Sequence, residues 1–89
     1  MKAKPGFVLR NIVDEFILMP TGENIGRFNG TLLMNEVSAF VWNKLQDSVT
    51  RDDLLEAITE EYDVGREKAA ADLDALLKAL RDHGVIEDD

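Results

Sequence analysis

The side chains of this chain that could do chemistry are few. One histidine, His83, and two serines, Ser38 and Ser48, are its nucleophile and base inventory, and it has no cysteine. Nucleophilic catalysis needs a hydroxyl or thiol held against a base. Neither serine lies in a strand-to-helix elbow, and His83 falls in the last turn of a predicted helix, where an imidazolium complements the negative helix end. A zinc site would need further imidazole or thiolate donors that the chain lacks. The carboxylates Asp52-Asp53, Glu60-Glu61 and Asp72-x-Asp74 sit on predicted helices with neighbours pointing apart, which reads as solvated faces. No calcium-loop spacing and no glycine-rich phosphate loop is present. The expectation is therefore no catalytic residue, no metal ligand and no cofactor. Trp42 could stack a ligand, but beside Phe40 and Val41 it reads as core.

The elements that carry these residues follow from the hydrophobic pattern. Phe7 to Ile12 and Glu15 to Pro20 are short apolar runs bounded by glycine and proline, read as two strands of an antiparallel hairpin. Pro20 closes the second strand because it cannot donate to a ladder. A turn-rich excursion from Gly22 to Gly30 follows, ending in Asn29-Gly30, a pair suited to a type I′ turn. Thr31-Leu32-Leu33-Met34 then reads as the third strand.

From Asn35 the period becomes helical. Asn35 is a candidate N-cap, with Val37, Phe40, Val41 and Leu45 on one face. Thr50 with Asp53 three residues on is a capping-box variant, and Val49 with Leu54 is a hydrophobic staple. Leu54, Leu55, Ile58 and Tyr62 form the second helix's apolar stripe. A third helix is predicted over about 66–83, with Ala69, Leu73, Leu76 and Leu80 in line, stopped by Gly84 with Val85 folding back on Leu80. The order gives an α+β fold of winged-helix-like type: a three-stranded antiparallel sheet followed by three helices. Residues 1–6 and 87–89 are expected to be flexible ends of a single domain spanning residues 1–89.

Eighty-nine residues suffice for one core but leave little room for a deep cavity. The lack of cysteine suits a reducing cytosol, so a cytoplasmic location is expected. No apolar run approaches the roughly 20 residues that cross a bilayer. Met1 to Gly6 is basic, yet the following Phe7-Val8-Leu9 is cut off by Arg10, so no signal peptide and no membrane partner is expected.

The fold order invites a nucleic-acid reading, but the charges oppose it. Net charge is −8, which a DNA phosphate backbone repels unless basic residues cluster on one face. On the third helix Arg66, Lys68, Lys78 and Arg81 are interleaved with Glu67, Asp72, Asp74 and Asp82, and no Asn or Gln is available to read bases. No nucleic-acid partner is expected.

Met34-Asn35-Glu36 before an amphipathic helix containing Trp42 resembles the Leu-Asn-Glu…Trp signature of the PqqD family. Thr50-Arg51-Asp52-Asp53-Leu54-Leu55, Glu61-Tyr62-Asp63-Val64, Ala70-Ala71-Asp72-Leu73 and Leu80 to Ile86 follow the rest of that pattern in order. The resemblance runs from about Phe7 to Ile86, with Met34 for the usual Leu and Val37-Ser38-Ala39 where Thr-Gly-Ala is common.

The resemblance implies three strands, then three helices, and a peptide-binding chaperone. Such a protein is a recognition element for ribosomally made, post-translationally modified peptides. It would hold the leader segment of a precursor peptide and present the core to a separate modifying enzyme, such as a radical SAM maturase. The leader would add as a strand to the third strand, in the groove beside the third helix. On that reading Thr31, Leu32 and Leu33 form the edge, while Ala70, Leu73, Leu77 and Arg81 form the wall. The protein would be a monomer, or a weak homodimer paired through the same edge. The rival readings are a domain of the same fold with a different peptide partner and a DNA-binding winged helix.

Overall fold

Alternation of inward and outward side chains sets the sheet. In the computed structural model, which describes residues 1–26 and 32–88, the hairpin strands are β2 (Phe7–Ile12) and β3 (Glu15–Pro20), preceded by a short β1 (Lys2–Ala3). β4 (Leu32–Met34) pairs antiparallel with β3, giving the order β2-β3-β4. Register places Leu9 opposite Leu18 and Leu18 opposite Leu32, so one apolar row crosses all three strands. Leu18 is fully buried, and Phe7, Leu9, Phe16 and Leu32 pack against the same core. Leu33, one residue out of phase, points the other way and stays 66% exposed. At the hairpin turn Val13 has φ 58, a region that β-branched residues rarely occupy.

The helices are α1 (Glu36–Lys44), α2 (Arg51–Glu61) and α3 (Arg66–Asp82). Each expected boundary device is present. The Asn35 side-chain oxygen accepts from the Ser38 amide at 2.8 Å. The Thr50 hydroxyl accepts from the Asp53 amide at 3.1 Å, and the Thr50 amide donates to the Asp53 carboxylate at 3.0 Å. After α3, Gly84 takes φ 70. The Val85 amide then donates to Leu80 and the Gly84 amide to Arg81, the two bonds of a Schellman motif. Trp42, 3% exposed, is core as its spacing predicts.

Two segments depart from the sequence expectation. Near the two ends, β1 pairs with β5 (Ile86–Glu87) as a second, two-stranded sheet, so Lys2, Ala3 and Glu87 are held in a ladder. The Ala3 amide donates to Leu45, and the Val49 amide to Met1. Two-residue strands carry no periodicity, so nothing in the sequence announces them. The turn-rich excursion begins as a 3₁₀ helix over Gly22–Gly26. It is tied to the start of β2 by the Asn24 side-chain amide donating to Gly6 at 3.2 Å. Gly6, at φ 93, also leaves no space for a Cβ against that amide. Thr31, the Asn29-Gly30 turn and Asp89 lie outside the described residues.

The helical core line also shifts by one residue. Ala69, Leu73, Leu77 and Leu80 are buried on α3, whereas Leu76 is only partly covered. Leu77, 1% exposed, is thus buried in the core. Leu77→Ala is expected to destabilise the fold by about 2–5 kcal/mol through the cavity it leaves. Chemical denaturation measures this, and a loss well under 1 kcal/mol would show that the side chain is not packed as described.

Candidate functional site

β4 runs directly into α1, so the first turn of that helix stands at the end of the sheet's edge strand. Among the described residues β4 has only β3 as a ladder partner. Among the described residues no strand runs along its second edge. Asn35, which follows β4 and caps α1, lines a cavity of about 520 Å³ that opens at this point. Val37, Ser38 and Val41 of α1 form one side, and Ile58 and Tyr62 of α2, with Val64, form the back. Lys68, Ala69, Asp72, Leu73, Ala75 and Leu76 of α3 form the other side.

The floor is rigid because it belongs to the core: Val41, Ile58, Ala69 and Leu73 are all buried. Tyr62 is braced edge-on against Phe40, with centroids 5.4 Å apart and planes at 89°. The Lys44 ammonium lies 5.3 Å from the centre of the same Phe40 ring. Partial burial raises the Tyr62 phenol above its ordinary pKa, and the carboxylates of Glu36 and Glu61 add to the shift. On the α3 wall Lys68 reaches Asp72 one turn along, at 3.2 Å.

Of the residues expected to hold a guest, Leu32 and Leu33 lie on the open strand, the first half-buried and the second exposed. Leu73 forms part of the cavity floor. Thr31 lies outside the described residues. Ala70, Leu77 and Arg81 do not line the cavity. With 3.6 residues per turn, Ala70, Asp74, Leu77 and Arg81 lie on one flank of the Ala69–Leu73–Leu80 line, and Lys68, Asp72, Ala75 and Leu76 on the other. The first flank meets the start of α2 and the chain's first residue. Asp74 accepts a two-pronged bond from Arg51 at 2.6 and 3.0 Å. Arg81 donates to Asp88 at 3.0 Å and approaches the Met1 sulfur at 3.9 Å. The cavity is on the second flank.

An amphipathic pattern shows which stripe is buried but not which flank faces a given neighbour. The wall expected from sequence and the cavity therefore fall on opposite flanks of α3. Leu76, Val37 and Tyr62 are cavity residues that the sequence reading misses. The available signals were Val37 in the first turn after the strand and an apolar Leu76 on the same flank as Lys68 and Asp72.

The same ion pairs bear on nucleic acid. Lys68, Lys78 and Arg81 of α3 are each held by a carboxylate, Asp72, Asp82 and Asp88 respectively. Three of the four cations that a recognition helix would offer to phosphates are thus already paired. His83 makes a 2.8 Å contact from Nδ1 to the Ala79 carbonyl oxygen at the end of α3. Among the described residues no group of three or more His, Asp or Glu is arranged to hold a metal ion, and no helix is long and apolar enough to cross a membrane.

A family model described as Coenzyme PQQ synthesis protein D (PqqD) matches residues 15–86. Two solved structures are similar over nearly the whole chain. "TbiB1 in Complex with the TbiA(beta) Leader Peptide" is 25% identical with a TM-score of 0.75, covering 98% of this chain and 95% of that one. "Lasso peptide synthetase B1 complexed with the leader peptide" is 24% identical with a TM-score of 0.71, covering 94% and 93%. No curated protein matches the sequence.

Tyr62 is the only tyrosine, so its ionisation can be followed by ultraviolet absorbance. It is expected to titrate above an ordinary phenol, and Glu36→Gln should bring it partly back. A Tyr62 that titrates like a free phenol would place it outside the half-buried, acid-flanked position described.

Proposed function

The chain belongs to the PqqD family, and from that premise we propose that it is a leader-peptide recognition element. It binds the leader segment of a ribosomally made precursor peptide and presents the core to a separate modifying enzyme, such as a radical SAM maturase. The observation that carries this reading is a strand, β4, that has one edge unaccompanied among the described residues and runs through Asn35 into an apolar cavity between the helices. An extended guest can add to such an edge through backbone hydrogen bonds, while its alternate side chains fill the cavity beside it. TbiB1, similar over almost the full length, was solved with a leader peptide, which supports the same class of ligand here.

In this reading Leu32 and Leu33 supply the strand edge. Leu73 lies beneath the guest, and Leu76 and Val37 close on it from the two sides. Ala70 and Arg81, on the far flank of α3, take no part. The protein acts by binding and orienting. A backbone ladder holds any extended segment, so the cavity must supply the selectivity. The same edge would let two copies pair weakly when no guest is present. The absence of cysteine suits a cytoplasmic setting.

The test is calorimetric titration of the whole folded protein with a synthetic leader segment of a candidate ribosomal precursor peptide. Saturable one-to-one binding is expected. Leu76→Asp should weaken it by about tenfold or more, since burying one leucine is worth roughly 1.5–3 kcal/mol. Its denaturation midpoint should stay close to that of the parent. A leader that does not bind the folded protein, or a Leu76→Asp variant that binds it as tightly, would contradict the proposal.

A further inference from the structure

The cavity is apolar inside, but its rim is acidic. Glu36 stands between two lining residues, Asn35 and Val37, and Glu61 directly precedes a third, Tyr62. Both carboxylates act on the Tyr62 hydroxyl, after the larger effect of its burial. Both are exposed, so each remains available to a guest. Asp72 lines the α3 wall itself, and Lys68, the only lining cation among the described residues, is held by it at 3.2 Å. The strand edge, Leu32 to Met34, carries no charge. A guest on β4 therefore meets a neutral edge, an apolar cavity and a rim of excess negative charge.

Resting on the peptide-binding reading above, we propose that this groove selects an extended segment with a lysine or arginine close to a large apolar residue. The apolar side chain enters the cavity between Val37 and Leu76. The cation then sits at the mouth, facing Glu36 and Glu61. A long basic side chain suits this position, because its methylene stem lies along the apolar rim while its head stays in water beside the carboxylates. An acidic residue at the same place would meet like charge. Exposed pairs are individually weak, so two carboxylates should give a preference of about three- to tenfold. The preference should shrink as salt is raised.

Selection of a displayed library of random twelve-residue peptides on the whole folded protein tests this directly. Enriched peptides are expected to carry Lys or Arg within two positions of a large apolar residue, far more often than Asp or Glu. Replacing that cation by glutamate in one selected peptide should weaken binding about three- to tenfold at low salt. The difference should vanish in the double variant Glu36→Gln/Glu61→Gln, which should still bind the parent peptide. Binders that show no basic bias, or a bias that survives in the double variant, would overturn the charge selectivity and leave peptide binding standing. If no peptide binds the folded protein, the reading beneath the proposal falls and the proposal with it.

Discussion

A strand that is paired along one side only still has backbone donors and acceptors along the other. β4 is such a strand among the described residues, and the rest of the molecule holds it in that state. Leu18 and Leu32 share one apolar row across the sheet, and Met34 is buried at its end. β4 is therefore fixed in register by its inward side chains, while Leu33 faces outward. A short edge of this kind limits unwanted pairing yet gives a guest backbone a defined place to add.

The cavity that Asn35 lines together with α1, α2 and α3 rests on side chains of the core. Val41, Ile58 and Leu73 are packed to near-complete burial, so the floor belongs to the same core that stabilises the fold. The far flank of α3 is tied down by Arg51 with Asp74 and by Arg81 with Asp88. These pairs are exposed and individually weak. The rotation of α3 is set by the buried stripe of Ala69, Leu73, Leu77 and Leu80, which leaves the flank of Lys68, Asp72 and Leu76 facing the cavity.

Much of the fold was legible in the sequence because it is written in local chemistry. Both hairpin strands, the Asn35 and Thr50 caps and the Gly84 stop follow from residues that act on their immediate neighbours. The β1–β5 pairing was not legible, because two-residue strands have no pattern and their partners are distant in the chain. The site was legible in part. The edge of the third strand was named from the family resemblance alone, while Leu73 of the cavity lining could be read, since a core stripe leaves a sequence signature. The flank of α3 could not, because rotation by one residue separates Leu76 from Leu77 and a stripe of leucines is nearly symmetric about its centre. Burial of Leu77 in place of Leu76 goes with that rotation, and Arg51 and Met1 lie against the flank it turns away from the cavity.

The account turns on whether the outer edge of β4 is a docking edge. Amide hydrogen exchange at Leu32, Leu33 and Met34, measured with and without saturating leader peptide, tests this most directly. The account predicts that outward-facing amides of β4 exchange readily in the free protein and become strongly protected when the peptide is bound. Tight binding that leaves β4 exchange unchanged would place the peptide elsewhere and contradict it.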